Sequence, residues 1–155
     1  MRQHGTRNRL TNRSGSSLSP LPRPNYKAAR FKCGKWWREN RDSSTVNEFS
    51  ACERFLHSVS HFQHIAIGLM IDDVLIAFHI SALPDGVCAN GLFEKADVSC
   101  RGVYQALMHG VAKSLIGRGY TELNYEQDLG IENLRRSKAA FNPKYFLKKY
   151  TVALK

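Results

Sequence analysis

Residues 65–80 read IAIGLMIDDVLIAFHI. Whether this run is one membrane span or two strands decides the fold. It falls short of the roughly 20 apolar residues that a bilayer-crossing helix needs. Asp72 and Asp73 also interrupt it at its middle. On either side of IDD, HIAIGLM (64–70) and VLIAFHIS (74–81) are apolar and rich in β-branched residues. That pattern predicts an antiparallel hairpin closed by a tight acidic turn.

Downstream of the hairpin, LPDG (83–86) is a turn and VCANGLFEKAD (87–97) a third strand. A helix is predicted over 100–117, with Val103, Ala106, Leu107, Val111, Leu115 and Ile116 as its buried stripe. Gly117 and Gly119 end it. YTELNYEQ (120–127) is a fourth strand, and GIENLRRSKAA (130–140) is a short helix stopped by Asn142–Pro143. KYFLKKYTVAL (144–154) alternates apolar and basic residues and reads as a last strand.

Upstream, DSSTVNEFSACERFLHSV (42–59) opens with capping residues and repeats apolar residues at helical spacing, giving a helix over about 45–59. Trp36 and Trp37, beside Lys35 and Arg38, either pack under that helix or stack on nucleotides. The order is helix, hairpin, β, α, β, α, β. It predicts an α/β (α+β) domain with a mixed central sheet and flanking helices.

The chain has 155 residues, 43% of them hydrophobic, enough for one domain with a real core. Its net charge of +10 is unevenly spread. Residues 1–30 hold seven Arg and Lys and no Asp or Glu, while the rest is nearly balanced. We therefore read 1–27 as a disordered basic tail and 28–155 as a single domain. The tail attracts polyanions, RNA or an anionic phospholipid surface, or it is a solubilising extension. It lacks an apolar segment of the kind a secretory signal needs. Cys33, Cys52, Cys88 and Cys100 are widely spaced without a CxxC pair, which points to reduced thiols and a cytoplasmic location, peripheral to the membrane if the tail binds it. His57, His61 and His64 are close in sequence but have no carboxylate beside them, so no metal site is expected.

Two strand ends are unusually polar. The third strand finishes FEKAD before a helix that begins SCRGVY; the fourth finishes NYEQD before LGIENLRR. If these strands are parallel neighbours, Glu94, Lys95, Asp97, Arg101 and Tyr104 come close to Asn124, Glu126, Gln127 and Asp128. Polar clusters at strand carboxyl ends are candidate active sites. In 124–138 the carboxylates Glu126, Asp128 and Glu132 all precede the cations Arg135, Arg136 and Lys138. Part of this order suits a helix dipole, and Glu132 with Arg135 or Arg136 is an ordinary helical pair. The EQD run at the strand end has no such explanation, because burying carboxylates without partners is costly.

FEKAD…RGVYQ followed by NYEQDLGIENLRRSK…NPKYFLKKY resembles the C-terminal domain of the phosphatidylglycerol lysyltransferase family, over about Trp36 to Val152. The resemblance implies a GNAT-like acyltransferase fold. It also implies transfer of an aminoacyl group from aminoacyl-tRNA, or an acyl group from acyl-CoA, to a lipid or small acceptor. The Q/R-x-x-G-x-G/A pyrophosphate loop of acetyl-CoA enzymes is missing, since SCRGVY carries only Gly102, so acetyl-CoA is not favoured over aminoacyl-tRNA. The family usually carries two such domains, so a dimer or a second GNAT domain is an expected partner.

Such a site deprotonates an acceptor, stabilises an oxyanion and protonates the leaving oxygen. Glu126 or Asp128 would be the base or hold the donor's α-ammonium, and Tyr104 would donate a proton. Arg135, Lys138, Lys148, Lys149, Lys95 and Arg101 are phosphate candidates. Glu94, Asp97, Gly102, Asn124, Gln127 and Gly130 complete the binding set. Each has a plainer structural reading. Asp128 suits a helix cap, and Glu94–Lys95 a surface strand pair. Arg135 and Lys138 suit a solvated face, Tyr104 the core, and Lys148 and Lys149 an edge strand. Two other functions fit the same residues: a non-catalytic half-domain that pairs with another GNAT domain, and a CoA-dependent N-acetyltransferase.

Overall fold

The computed structural model describes residues 16–20, 32, 35–36 and 46–153. Its elements are Ser16–Pro20 (β1), Val46–Ser58 (α1), His64–Ile71 (β2), Val74–Ala82 (β3), Cys88–Ala96 (β4), Val103–Ile116 (α2), Glu122–Asn124 (β5) and Glu132–Ala139 (α3). The strands form one sheet in sequential order, antiparallel except for the parallel pair β4–β5. The expected mixed sheet with flanking helices is present, and no described helix is long and apolar enough to cross a membrane.

The hairpin β2–β3 turns at Asp72 and Asp73, with φ of 47° and 61°. Positive φ at both central residues matches the right-handed twist of the strands, and Asp tolerates it better than most residues. Both strands are buried on both faces, so they read as continuous apolar runs.

The alternation of side chains sorts the core into two layers. Ala66, Phe78 and Ile80 pack with Trp36 and Cys52, and with Phe49, Phe55 and Leu56 of α1. Trp36 stacks on Phe78 with ring centroids 6.3 Å apart, so it is a core residue; Trp37 lies outside the described residues. Each fully buried aromatic or aliphatic side chain here contributes about 1.5–3 kcal/mol. The opposite face presents Ile65, Ile67, Leu69, Ala77, His79 and Ser81, and α2 packs over β2 and β3. From α2 the buried residues are Val103, Leu107, Met108, Gly110, Val111 and Leu115. Ala106 and Ile116, expected in that stripe, are exposed.

Three expectations need correction or refinement. Ser16–Pro20, inside the segment read as a tail, lies antiparallel on the outer edge of β2. That edge offers a row of backbone groups, and the five residues pair along it from Ile67 to Ile71. The fourth strand, expected over 120–127, is only Glu122–Asn124. Residues 144–153, read as a last strand, carry no regular secondary structure, and Phe146, Leu147, Tyr150 and Val152 are exposed. Alternation describes side chains but supplies no pairing partner, and without a partner there is no strand.

By internal packing the chain divides into two units, Met1–Asn124 and Tyr125–Lys155. The first holds the sheet with α1 and α2. The second holds α3 and the C-terminal segment.

Candidate functional site

In the first unit, β4 and β5 pair only over Cys88–Asn90 and Glu122–Asn124. β4 then runs on alone to Ala96 on that side. Asn124 is opposite Asn90, and its Nδ2 donates to Asn90 Oδ1 at 3.4 Å. Glu94 lies four residues further along β4, roughly 13 Å at the usual strand rise. The strand ends are thus staggered, and Asn124 does not reach level with Glu94 as the sequence reading assumed. Beyond Asn90, no described strand pairs with this side of β4.

β4 also carries a bulge on its other side. Ile80 pairs with Phe93 and Ser81 with Gly91, so Leu92 is an extra residue. This insertion decides which side chains meet. In an unbroken ladder continued from Ser81–Gly91, His79 would oppose Phe93. With Leu92 inserted, His79 opposes Glu94, while Phe93 turns to the α1 layer and packs on Phe55 at 5.7 Å.

His79 and Ser81 are the only buried polar side chains among the described residues, 1% and 0% exposed. His79 Nδ1 is 2.9 Å from Glu94 Oε2, and Nε2 is 2.7 Å from Ser81 Oγ. A carboxylate on Nδ1 requires the proton there, which leaves Nε2 to accept the Ser81 hydroxyl. Glu94 is 12% exposed and forms the wetter end of this chain of bonds. Sequence reasoning took Glu94 as a binding residue and missed both partners. The signal was present: His79 and Ser81 stand two apart in a strand otherwise built from apolar residues.

After β4, Asp97 accepts from the Ser99 backbone N–H at 3.1 Å and from Ser99 Oγ at 2.6 Å. These two bonds hold its carboxyl below the ordinary carboxylate range. Asp97 thereby shapes the turn into α2. Gly102 caps α2 with φ of 76° and no side-chain bond to the helix N-terminus. Arg101 beside it is exposed, while Tyr104 and Lys95 are half-buried.

In the second unit, the acid-then-base block folds on itself. Asp128 accepts from Gly130 N–H at 2.9 Å and from Arg135 Nε at 2.6 Å. Arg135 and the Gly130 N–H hold the Asp128 carboxyl low, and Asp128 raises the Arg135 guanidinium in turn. Gly130 takes φ of 77°, with Leu129 at 54° and Glu126 at 56°. Lys138 Nζ donates to the carbonyl oxygens of Tyr125 and, at 2.9 Å, Gln127. It also sits 4.9 Å above the Tyr125 ring. Lys149 Nζ donates to Gln127 Oε1 at 2.9 Å. Glu132 pairs with Arg136 at 3.0 Å on an exposed face. The structure therefore turns Arg135, Lys138 and Lys149 toward the 125–128 loop, and leaves Lys148 exposed in the irregular C-terminal segment. No group of three His, Cys, Asp or Glu side chains among the described residues converges as a metal site.

Residues 26–153 match the family described as phosphatidylglycerol lysyltransferase, C-terminal. No curated protein matches the chain. Among solved structures, a conserved protein of unknown function from Bacteroides thetaiotaomicron VPI-5482 is 25% identical with a TM-score of 0.76, covering 84% of this chain and 45% of its own. This chain thus spans less than half of that protein. A ribosomal-protein-alanine N-acetyltransferase from Brucella melitensis biovar Abortus 2308 is 14% identical with a TM-score of 0.66, covering 90% of this chain and 99% of its own. A PaiA N-acetyltransferase from Thermoplasma acidophilum, solved in complex with coenzyme A, is 16% identical with a TM-score of 0.58, covering 82% and 87%. These likenesses show that the fold is that of the GNAT acetyltransferases.

Proposed function

Since the chain belongs to the family of phosphatidylglycerol lysyltransferase C-terminal domains, we propose that this GNAT-like acyltransferase domain moves an aminoacyl group from aminoacyl-tRNA to a lipid or small acceptor. The observation that carries this reading is the parting of β4 from β5 after Asn90 and Asn124. On this reading the acyl carbonyl, and the oxyanion it becomes, is received where the two strands part. The donor ester is already activated, so the protein's task is to orient it and to move protons.

Tyr104 is the proposed proton donor to the leaving 3′-oxygen. Gly102 and Arg101 lie where α2 begins, and a helix start favours phosphate. The absence of a second glycine there supports a tRNA donor over acetyl-CoA. Arg135, Lys138, Lys148 and Lys149 are the proposed contacts to tRNA phosphates, which Arg and Lys recognise by charge and forked donation. Glu126 and Asp128 are the proposed holders of the donor's ammonium group, and for Asp128 that role suits a carboxylate that Arg135 and the Gly130 N–H hold low.

The test is a titration at fixed near-physiological salt, with coenzyme A and a charged tRNA acceptor stem against the full chain. Saturable stem binding, weakened by Arg135→Ala, supports aminoacyl transfer. Tight coenzyme A binding without stem binding moves the chain to the N-acetyltransferase reading. One further reading has its own support: the chain spans 45% of the Bacteroides protein it resembles. On that reading it is a half-domain that pairs with another GNAT domain. It predicts binding of neither titrant, and a stable dimer on sizing.

A further inference from the structure

Ser81, His79 and Glu94 have the composition of a nucleophile–imidazole–carboxylate triad, but the accessible end is reversed. The Ser81 hydroxyl is sealed, 0% exposed, and no substrate carbonyl can reach it. Glu94 is the end that meets solvent. It also lies on the stretch of β4 that β5 has left. We propose that Glu94 is the proton acceptor of the transfer reaction, and that His79, fixed by Ser81, is a buried positioning residue that aims the Glu94 carboxylate. This proposal rests on the transferase reading above.

The physical case has three parts. Burying an imidazole and a hydroxyl costs several kcal/mol unless each polar atom is partnered, and here each finds its partner at 2.7–2.9 Å. Two apolar residues would make a more economical core, so the bonded pair is a feature to be explained. Second, the Leu92 bulge brings Glu94 opposite His79, and bulges commonly re-aim side chains at sites. Third, the Glu94 carboxylate places the ring proton on Nδ1, and the Ser81 hydroxyl, donating to Nε2, fixes the ring orientation. Nδ1–H then stabilises one oxygen of Glu94, and the carboxylate cannot swing freely.

In the step proposed, the acceptor O–H or N–H proton passes to Glu94. The acceptor lone pair forms a bond to the donor's carbonyl carbon, and the carbonyl electrons move to oxygen. As the tetrahedral species collapses, the bond to the tRNA 3′-oxygen breaks, and that oxygen takes a proton from Tyr104, which solvent restores. Glu94 then returns its own proton to solvent, and no oxidant, reductant or further reactant is needed.

The experiment measures kcat and KM of the full chain with lysyl-tRNA and phosphatidylglycerol vesicles, and with acetyl-CoA and a primary amine. The variants are Glu94→Gln, His79→Gln, Ser81→Ala and the double variant His79→Gln/Glu94→Gln. Glu94→Gln is expected to lower kcat by about 100-fold or more. His79→Gln and Ser81→Ala should lower kcat by roughly 10- to 100-fold, as expected for a misplaced catalytic group, with KM little changed. The double variant should be no slower than Glu94→Gln alone, because His79 acts only through Glu94. Nitrogen-15 NMR of the histidines reads the tautomer directly, with the proton expected on Nδ1 of His79. If His79→Gln fails to fold, Ser81→Ala carries the test, since it removes a single oxygen.

A proton on Nε2 alone overturns the relay. So does unchanged kcat in folded Ser81→Ala, or full additivity in the double variant. A wild-type chain inactive with both donor pairs overturns the transferase reading and the relay with it. An active wild type with unaffected variants overturns the relay only.

Discussion

Arg135 Nε lies 2.6 Å from Asp128 Oδ2, seven residues earlier in the chain and across the turn that opens α3. Acid-first, base-after order in this block is therefore partly a fold device: the late cation returns to the early anion. Asp128 has a depressed carboxyl in the folded state, so its stabilising effect is present above the unfolded value of about 4. It is lost as pH falls through the lower folded value. Melting curves from pH 6 down to pH 2.5 should show the wild type losing stability more steeply below about pH 4 than Asp128→Asn. Both side chains are substantially exposed, and added salt should shrink the difference. Identical slopes would falsify the assignment.

Lys138 clamps the carbonyls of Tyr125 and Gln127 from one helical turn of α3. Lys138→Met keeps the stem and removes the donors. Amide exchange over 125–130 should accelerate, corresponding to about 1–2 kcal/mol of lost local protection. The β2–β3 amides should exchange as before, because they belong to the other unit. Acceleration across the whole sheet would contradict this.

Gly102 sits at φ 76°, and a Cβ placed there meets nothing within 4 Å. Gly102→Ala is thus a pure backbone penalty of about 1 kcal/mol. The melting temperature should fall by a few degrees with the circular dichroism spectrum intact. A collapse of the fold would show that the αL conformation matters more than steric space indicates.

Removing Leu92 takes out the extra residue and leaves an unbroken β4 ladder, with Ser81 still opposite Gly91, Ile80 opposite Phe93 and His79 opposite Glu94. The deletion variant should therefore fold and keep the bond between His79 and Glu94, losing only the local bend that the bulge gives β4. Its circular dichroism spectrum should match that of the wild type, and the histidine NMR signal of His79 should be retained. A deletion variant that unfolds, or in which His79 loses Glu94, would refute the identification of Leu92 as the extra residue.

Periodicity made the hairpin, α1 and α2 legible in the sequence, because a buried strand or an amphipathic helix writes its period into neighbouring residues. Asp72–Asp73 marked the turn for the same local reason. The Leu92 bulge was not legible, since inserting one residue leaves an ordinary strand composition. Without the register, His79 and Glu94 could not be matched across fifteen residues of chain. The end of β5 at Asn124 and the unpaired 144–153 segment were missed because pairing is decided by partners elsewhere. Asp128 and Arg135 were both singled out as site candidates, but their contact with each other depends on the Leu129–Gly130 turn.

The parting of β4 from β5 after Asn90 has a further consequence. What a strand offers at such a place is peptide N–H and C=O, the same whichever side chains flank them. Side-chain drift beside it leaves that backbone chemistry unchanged. Of the common substitutions only proline deletes a donor. If the proposed transfer takes place there, acceptor preference can diverge while the backbone chemistry stays fixed.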